Sequence, residues 1–497
     1  MRRVALLLIV VLAALLAVEV FYSLAWPIAH DEAPLLYQAF LMLTEGRLPY
    51  RDLFDFQMPG AYAVFYALGA LTRFDASALR VMDLLLLAGL SGLTYLWLRP
   101  FGWHSALAAM LLFAFEYLQG GPSMALQREF LLLLPIAFGL WRYLNGPPGV
   151  TGRLVLGFCF GLAALVKPHA AIGLLPFFAL DLMAASPLER GRSLQALLAT
   201  ALGFLVPIAV AAVRMQALGT LAPFLQIALN YWPLYAQVNG QLVVTRGAAH
   251  WLELADQLWR MAGNGGWFLA AAVGWFLARR AAPGDAAHRR TVALMGGLVL
   301  AYAIYPALSG QFFQYHYLPF LYFAIALSSL CLTPLSPPRL QAFGLAAMLA
   351  AVLLGVRMSP VVISQIDGKP LSGGRADQIG AYLASHLKPG DTVQPLDWTG
   401  GALQAMLETR ASLGTRFVFD FYLYHHVSTP YIRGLRTQFL REMRANPPDY
   451  VVEVTAMDKP WISGPDTNRV FSNLRDFLDH AYIVDVSDPD FTIYRKR

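Results

Sequence analysis

The sequence predicts a mainly α-helical, polytopic membrane domain over residues 1–358 followed by a soluble α/β domain over residues 359–497. Three observations predict it. Hydrophobic residues make up 57% of the 497 and charged residues only 14%, against roughly 25% charged in soluble domains. Mean hydropathy is +0.51. The charge deficit is also uneven: apolar runs broken by short charged or Gly/Pro stretches recur up to about residue 358, and an ordinary soluble composition follows.

Apolar windows long enough to cross a bilayer fall near 4–25, 79–98, 104–119, 129–144, 153–166, 170–186, 194–213, 264–279, 291–307, 317–334 and 340–358, about eleven spans. Met1-Arg2-Arg3 opens the first, which runs on past Trp26 without a small-x-small cleavage site, so it reads as an uncleaved first span. Pro59–Leu71 is apolar but short and rich in aromatics, the pattern of a helix lying at the membrane surface. With the N-terminus in the cytoplasm, the inner loops hold Arg99, Arg142, Arg153, Arg190, Arg192, Arg279, Arg280, Arg289, Arg290 and Arg339. The short outer loops hold only Arg128 and Lys167. This bias is that of a protein in the cytoplasmic (inner) membrane. It places a first loop over 26–78, a long loop over 214–263 and the C-terminal domain outside, in the periplasmic or extracytoplasmic space.

In the C-terminal domain, helical periodicity over Asp377–Leu387 stops at Lys388-Pro389-Gly390, and a second helix is expected over Ile432–Ala445 before Asn446-Pro447-Pro448. Strands are expected at Thr392–Leu396, Arg416–Phe421, Tyr450–Val454, Tyr482–Val486 and Phe491–Tyr494. The net charge of +6 is a matter of membrane topology and does not indicate a nucleic-acid partner. Cys159 and Cys331 lie far apart in apolar runs, which excludes a disulfide framework or a cysteine metal motif and suits buried packing.

The chemistry-bearing residues cluster on the outer side. Asp31 and Glu32 end the first apolar segment. Adjacent carboxylates at a helix end point apart, so one can serve as base or metal ligand while the other holds a structural partner; a solvated acidic helix end is the plainer alternative. Asp55 lies in the same loop among Phe54, Phe56 and Pro59, where a turn role competes. Glu129 starts a later span, as the helix dipole favours. Facing Asp31, it would complete a site for a divalent cation such as Mg or Mn. Lys167, between two spans and before Pro168, suits a lipid phosphate, or it snorkels to the interface. His316 and Tyr317 add a further phosphate or sugar contact, and Arg80 either joins these cations or pairs with Asp83. Carboxylates, cations and aromatics on one face suit an anionic amphiphile whose tail stays in lipid, such as a polyprenyl-phosphate-linked sugar.

Asp31-Glu32 after the first span, then Tyr37, Gly46, Pro49-Tyr50, an acidic residue and Pro59, followed by Arg80, Lys167-Pro168 and His316-Tyr317, resembles the GT-C superfamily of polytopic glycosyltransferases. The likeness is to bacterial relatives of the protein O-mannosyltransferases and lipid A aminoarabinose transferases, and it spans the first 360 residues. The resemblance implies a GT-C fold and transfer of a hexosyl or pentosyl unit from a polyprenyl-phosphate-linked donor to a lipid, glycan or protein acceptor. Within it, Asp31 matches the catalytic first-loop acid. Asp55 and Glu129 match later acidic positions less closely, and the C-terminal domain is alike only in composition. A ligase or polymerase of lipid-linked glycans is a related alternative. A transporter or flippase of such lipids would require midplane charges and inverted repeats, neither of which is visible; a binding protein that lost the chemistry would not need Asp31-Glu32.

Overall fold

The computed structural model describes residues 2–146, 149–184, 190–238, 247–281, 284–332, 338–359, 361–362, 364, 374–455, 464–468 and 470–497. Helix α1 (Arg2–Ser23) leads into a first loop carrying two helices, α2 (Glu32–Thr44) and α3 (Pro59–Thr72). Then come α4 (Ala76–Leu98), α5 (Trp103–Gln119), the one-turn α6 (Arg128–Leu131), α7 (Leu133–Asn145), α8 (Val150–Val166), α9 (Leu175–Ala184) and α10 (Arg190–Ala217). Three short helices, α11 (Leu221–Asn230), α12 (Trp232–Tyr235) and α13 (Ala248–Met261), precede α14 (Gly266–Ala281), α15 (Ala286–Ser309), α16 (Leu318–Ser329) and α17 (Pro338–Met358).

Where it is described, each expected span falls mainly on helix. Among the described residues, six helical segments are long and apolar enough to cross a membrane by themselves: Leu6–Ser23, Ala76–Phe101, Gly191–Ala217, Ala286–Ser309, Gln314–Leu332 and Pro338–Val356. The others are shorter, α8 among them at 17 residues, or about 26 Å. The stretch expected as a long loop over 214–263 is mostly helical where it is described, because Leu221–Asn230 and Ala248–Met261 are both amphipathic.

The charged groups sort to two ends. Arg153, near the start of α8, donates to Asp181 Oδ1 at 2.6 Å, and Arg290 reaches the same oxygen. Lys167 closes the other end of α8, 14 residues or about 21 Å away. Helices α8 and α10 pack backbone to backbone. A Cβ on Gly157 would lie 2.0 Å from the Thr200 carbonyl oxygen, one on Gly161 2.4 Å from that of Phe204, and one on Gly203 2.1 Å from that of Leu154. Without side chains there, the helices gain dispersion contact that lipid cannot supply.

The C-terminal part holds α18 (Arg375–His386), β1 (Thr392–Leu396), α19 (Ala402–Glu408), β2 (Ser412–Leu413), α20 (Pro430–Ala445), β3 (Tyr450–Val454), α21 (Ser472–Ala481), β4 (Tyr482–Ser487) and β5 (Phe491–Lys496). The sheet order is β2-β1-β3-β5-β4; β1 runs parallel to β2 and β3, and β5 antiparallel to β3 and β4. One expected strand is corrected. Arg416–Phe421 does not join this sheet: Phe417 forms a lone bridge with Phe54 of the first loop. Phe417 packs on Phe54 of that loop, while Phe419 and Phe421 pack on Trp398.

The first loop and the C-terminal part are joined by several hydrogen bonds. Tyr37 Oη donates to the Ala411 carbonyl at 2.8 Å, and Arg47 Nη2 to that of Leu413 at 2.9 Å. The Phe54 amide donates to the Arg416 carbonyl at 2.7 Å, and Arg416 Nη2 to the Tyr50 carbonyl at 2.6 Å. Phe54, Phe56, Phe417 and Tyr422 belong to one continuous apolar core that crosses this junction.

Candidate active site

Four local features position the site. His30 takes a left-handed backbone (φ 53°) just before α2, which turns Asp31 out of a capping role: its side chain makes no cap bond. Leu126 (φ 52°) precedes Arg128, and Phe312 (φ 49°) precedes His316. Left-handed backbone at non-glycine residues is strained and gathers at functional sites. Lys167 is extended (φ −152°, ψ 121°) because the following Pro168 disfavours helix, so α8 stops and releases the lysine.

These turns bring two ion pairs side by side. Arg128 Nη2 donates to Asp31 Oδ2 at 2.8 Å, and Arg128 also bonds Gln57 of the first loop. His30 Nδ1 lies 3.2 Å from Asp31 Oδ1. Burial by itself would raise the Asp31 carboxyl, but the charges of His30 and Arg128 outweigh it and hold the group well below the usual carboxylate range. In the second pair, Lys167 bonds Glu129, which also accepts from Tyr305 Oη at 3.2 Å. His316 Nε2 sits 2.8 Å from Lys167 Nζ, while Ser309 Oγ lies 3.1 Å from His316 Nδ1. Burial, aided by Arg128, pulls Lys167 down to about 8 against the opposing pull of Glu129.

Arg128 and Lys167 face a cavity of about 130 Å³ that is also lined by Gln57, His169, Trp232, Tyr235, Ser309 and Gln311. On the other side of His30 lies a second cavity of about 240 Å³, between the first loop, Pro122-Ser123 and the C-terminal residues Arg375, Trp398 and Gln404. Asp31 stands between them, touching His30 of one wall and Arg128 of the other.

Of the residues singled out in the sequence, Asp31, Glu129, Lys167 and His316 converge here. Four do not. Glu32 and Arg80 form a separate ion pair with side chains 0% and 1% exposed, so Arg80 is not open to a ligand. Asp83 beside them accepts from Tyr117 Oη at 2.6 Å. Asp55 is buried and fully engaged, accepting from Gln38 Nε2 at 2.8 Å, Tyr62 Oη at 2.7 Å and Tyr422 Oη at 3.2 Å. It ties the first loop to the C-terminal part and does not line the cavity. Tyr317 packs with Leu254 and Phe312 beneath α13, away from Lys167. Of the two carboxylates expected to hold a divalent cation, Asp31 faces Arg128 and Glu129 faces Lys167, and no group of three His, Cys, Asp or Glu residues suited to a metal occurs among the described residues.

Sequence reasoning missed Arg128, His30, Gln57 and Tyr235 as site residues. Arg128 had left a signal: it and Lys167 are the two basic residues of the short loops on that side, and both belong to the site.

Two solved structures are similar to the chain along nearly all of it. ArnT from Cupriavidus metallidurans, bound to undecaprenyl phosphate, matches over 98% of this chain and 97% of its own, with a TM-score of 0.58 and 13% identity. The Archaeoglobus fulgidus oligosaccharyltransferase tethered to an acceptor peptide matches over 98% and 74%, with a TM-score of 0.51 and 12% identity. At such identities the likeness is one of fold alone, the helical membrane fold of these two proteins. No protein-family model matches the sequence, and no curated protein sequence does.

Proposed function

We propose that the chain is a membrane glycosyltransferase that moves a sugar from a polyprenyl-phosphate-linked donor to an acceptor on the outer face of the cytoplasmic membrane. The observation that carries this reading is the position of Asp31 between a cavity lined by Arg128 and Lys167 and a second cavity roofed by the C-terminal part. Two buried cations beside apolar and aromatic walls suit a lipid phosphate. The donor phosphate sits against Lys167 and Arg128, and the acceptor approaches from the His30 side. The acceptor oxygen or nitrogen attacks the anomeric carbon as the bond from that carbon to the phosphate oxygen breaks. The electron pair leaves with the polyprenyl phosphate, whose charge the two cations stabilise. A carboxylate as acidic as Asp31 is a weak base, so it orients the nucleophile by accepting its hydrogen bond and takes the proton as bond breaking proceeds. Glu129 and His316 hold Lys167 in place.

The ArnT complex with undecaprenyl phosphate supports a lipid-phosphate donor by analogy of fold. The test is mass spectrometry of polyprenyl-phosphate sugars and surface glycans in cells with and without the working gene, and with Asp31→Asn. Accumulation of one lipid-linked sugar on deletion, persisting with well-expressed Asp31→Asn, identifies the donor. Full rescue by Asp31→Asn refutes the role given to this carboxylate.

A further inference from the structure

A cavity of about 420 Å³, larger than either cavity of the site, opens between α5, α13, α14 and α17, at the end of the bundle where Asp31 and Lys167 lie. Its lining is polar for a space between apolar helices: Glu116, Gln119, Gln257, Arg260, Asn264 and Gln314. Glu116 is partly buried, and its Oε1 is buried with no hydrogen-bond partner among the described residues. Its carboxylate rests against α17, where a Cβ on Gly355 would lie 3.3 Å from Oε2. Gln119 is 5% exposed, and its side chain meets the Glu19 carboxyl of α1. Ser359 Oγ donates to the Gln119 carbonyl at 2.7 Å, so the end of α17 is pinned over that of α5. A carboxylate oxygen buried without a partner is costly unless something from outside satisfies it.

The depth of the cavity narrows the choice. Helix α13 exposes Trp251, Leu252 and Trp259, the side chains that settle at the boundary between head groups and acyl chains. On the same helix Arg260 pairs with Asp256 at 3.0 Å at the cavity rim. The α17 wall exposes Leu349 and Leu353 outward, a surface for acyl chains. The lining thus offers one cation, Arg260, four amides and one carboxylate, Glu116.

We propose that this cavity holds the head group of a zwitterionic phospholipid bearing a primary amine, a phosphoethanolamine. Its ammonium donates to Glu116 and Gln119, and its phosphate meets Arg260. The quaternary ammonium of a choline head group has no N–H to donate, and a glycerol head group brings no positive charge to Glu116. The site is separate from the Asp31 centre, and this assignment stands without the transferase reading.

The full chain is reconstituted in nanodiscs of equal parts phosphatidylethanolamine, phosphatidylcholine and phosphatidylglycerol, released into detergent, and its retained lipid read by native mass spectrometry. Phosphatidylethanolamine is expected at least tenfold enriched over the other two on the wild-type chain, a comparison that needs no variant. Glu116→Gln is expected to remove at least tenfold of that enrichment. Arg260→Gln, on an exposed side chain, is expected to lower retention of phosphatidylethanolamine about fivefold. Equal retention of the three lipids by the wild-type chain overturns the proposal. So does undiminished selectivity in folded Glu116→Gln, and unchanged retention in Arg260→Gln overturns the phosphate contact.

Discussion

Replacing Lys167 by Gln tests the site most sharply, because the structure predicts that a second substitution repairs it. Lys167 is the cation that balances Glu129, whose side chain is 0% exposed. Without it a donor phosphate loses one charge-assisted hydrogen bond, worth about 1.5–3 kcal/mol. It also meets a bare carboxylate about 5 Å away, a repulsion of about 3 kcal/mol at an effective dielectric constant of about 20. Together these weaken donor binding by about three to four decades at about 1.4 kcal/mol per decade. The double variant Glu129→Gln/Lys167→Gln removes the repulsion and is expected to regain about two decades, so it binds donor better than Lys167→Gln does. Unfolding should follow the same order, since breaking one side of a buried ion pair costs about 3–5 kcal/mol and neutralising both costs less. Affinity for a polyprenyl phosphate, measured on purified protein in nanodiscs and normalised to the folded fraction, decides it. A double variant no better than the single one, or a Lys167→Gln chain within threefold of wild type, refutes the pairing and the phosphate role together.

Three more outcomes follow from the same geometry. Asp31→Asn is expected to lower kcat by about 10²- to 10⁴-fold while leaving donor affinity unchanged or tighter, since Arg128 loses its competing carboxylate; single-turnover transfer and binding assays separate the two effects. The pH profile of kcat/KM should fall about tenfold per pH unit above pH 8, where Lys167 loses its proton. Stability should move the opposite way: the lysine's folded value lies below its ordinary one of 10.5, so the unfolded chain binds more protons between about pH 8 and 10.5 and unfolding becomes harder as pH rises through that window. Thermal melting across the same range distinguishes lost charge from lost fold. Asp55→Ala leaves Gln38, Tyr62 and Tyr422 without their shared acceptor and should destabilise the junction by about 3 kcal/mol, seen as faster proteolysis around Phe417, with donor affinity in the intact protein within threefold of wild type.

The sequence by itself determined the helical membrane architecture, since spans longer than about 17 apolar residues have no other stable form in lipid. The two basic residues of the short loops on one side, Arg128 and Lys167, also marked the end of the bundle where the buried ion pairs gather. Asp31 and Lys167 were legible because each charged residue interrupts an apolar run at a helix end. Which cation meets which carboxylate was not. Asp31 and Glu32 are neighbours in the chain, yet one faces Arg128 in the site and the other Arg80 in the core, because successive residues of a helix start point about 100° apart. Asp55 had the sequence character of an active-site acid and became a fastener once Gln38, Tyr62 and Tyr422 closed around it. Arg416–Phe421 had the alternation of a strand and was taken by the first loop, 360 residues away, which offered its backbone a partner and Phe417 a ring to pack on. Alternation and hydropathy are local quantities, whereas pairing between buried charges depends on which helix ends the packing brings within about 3 Å, and only the tertiary structure decides that.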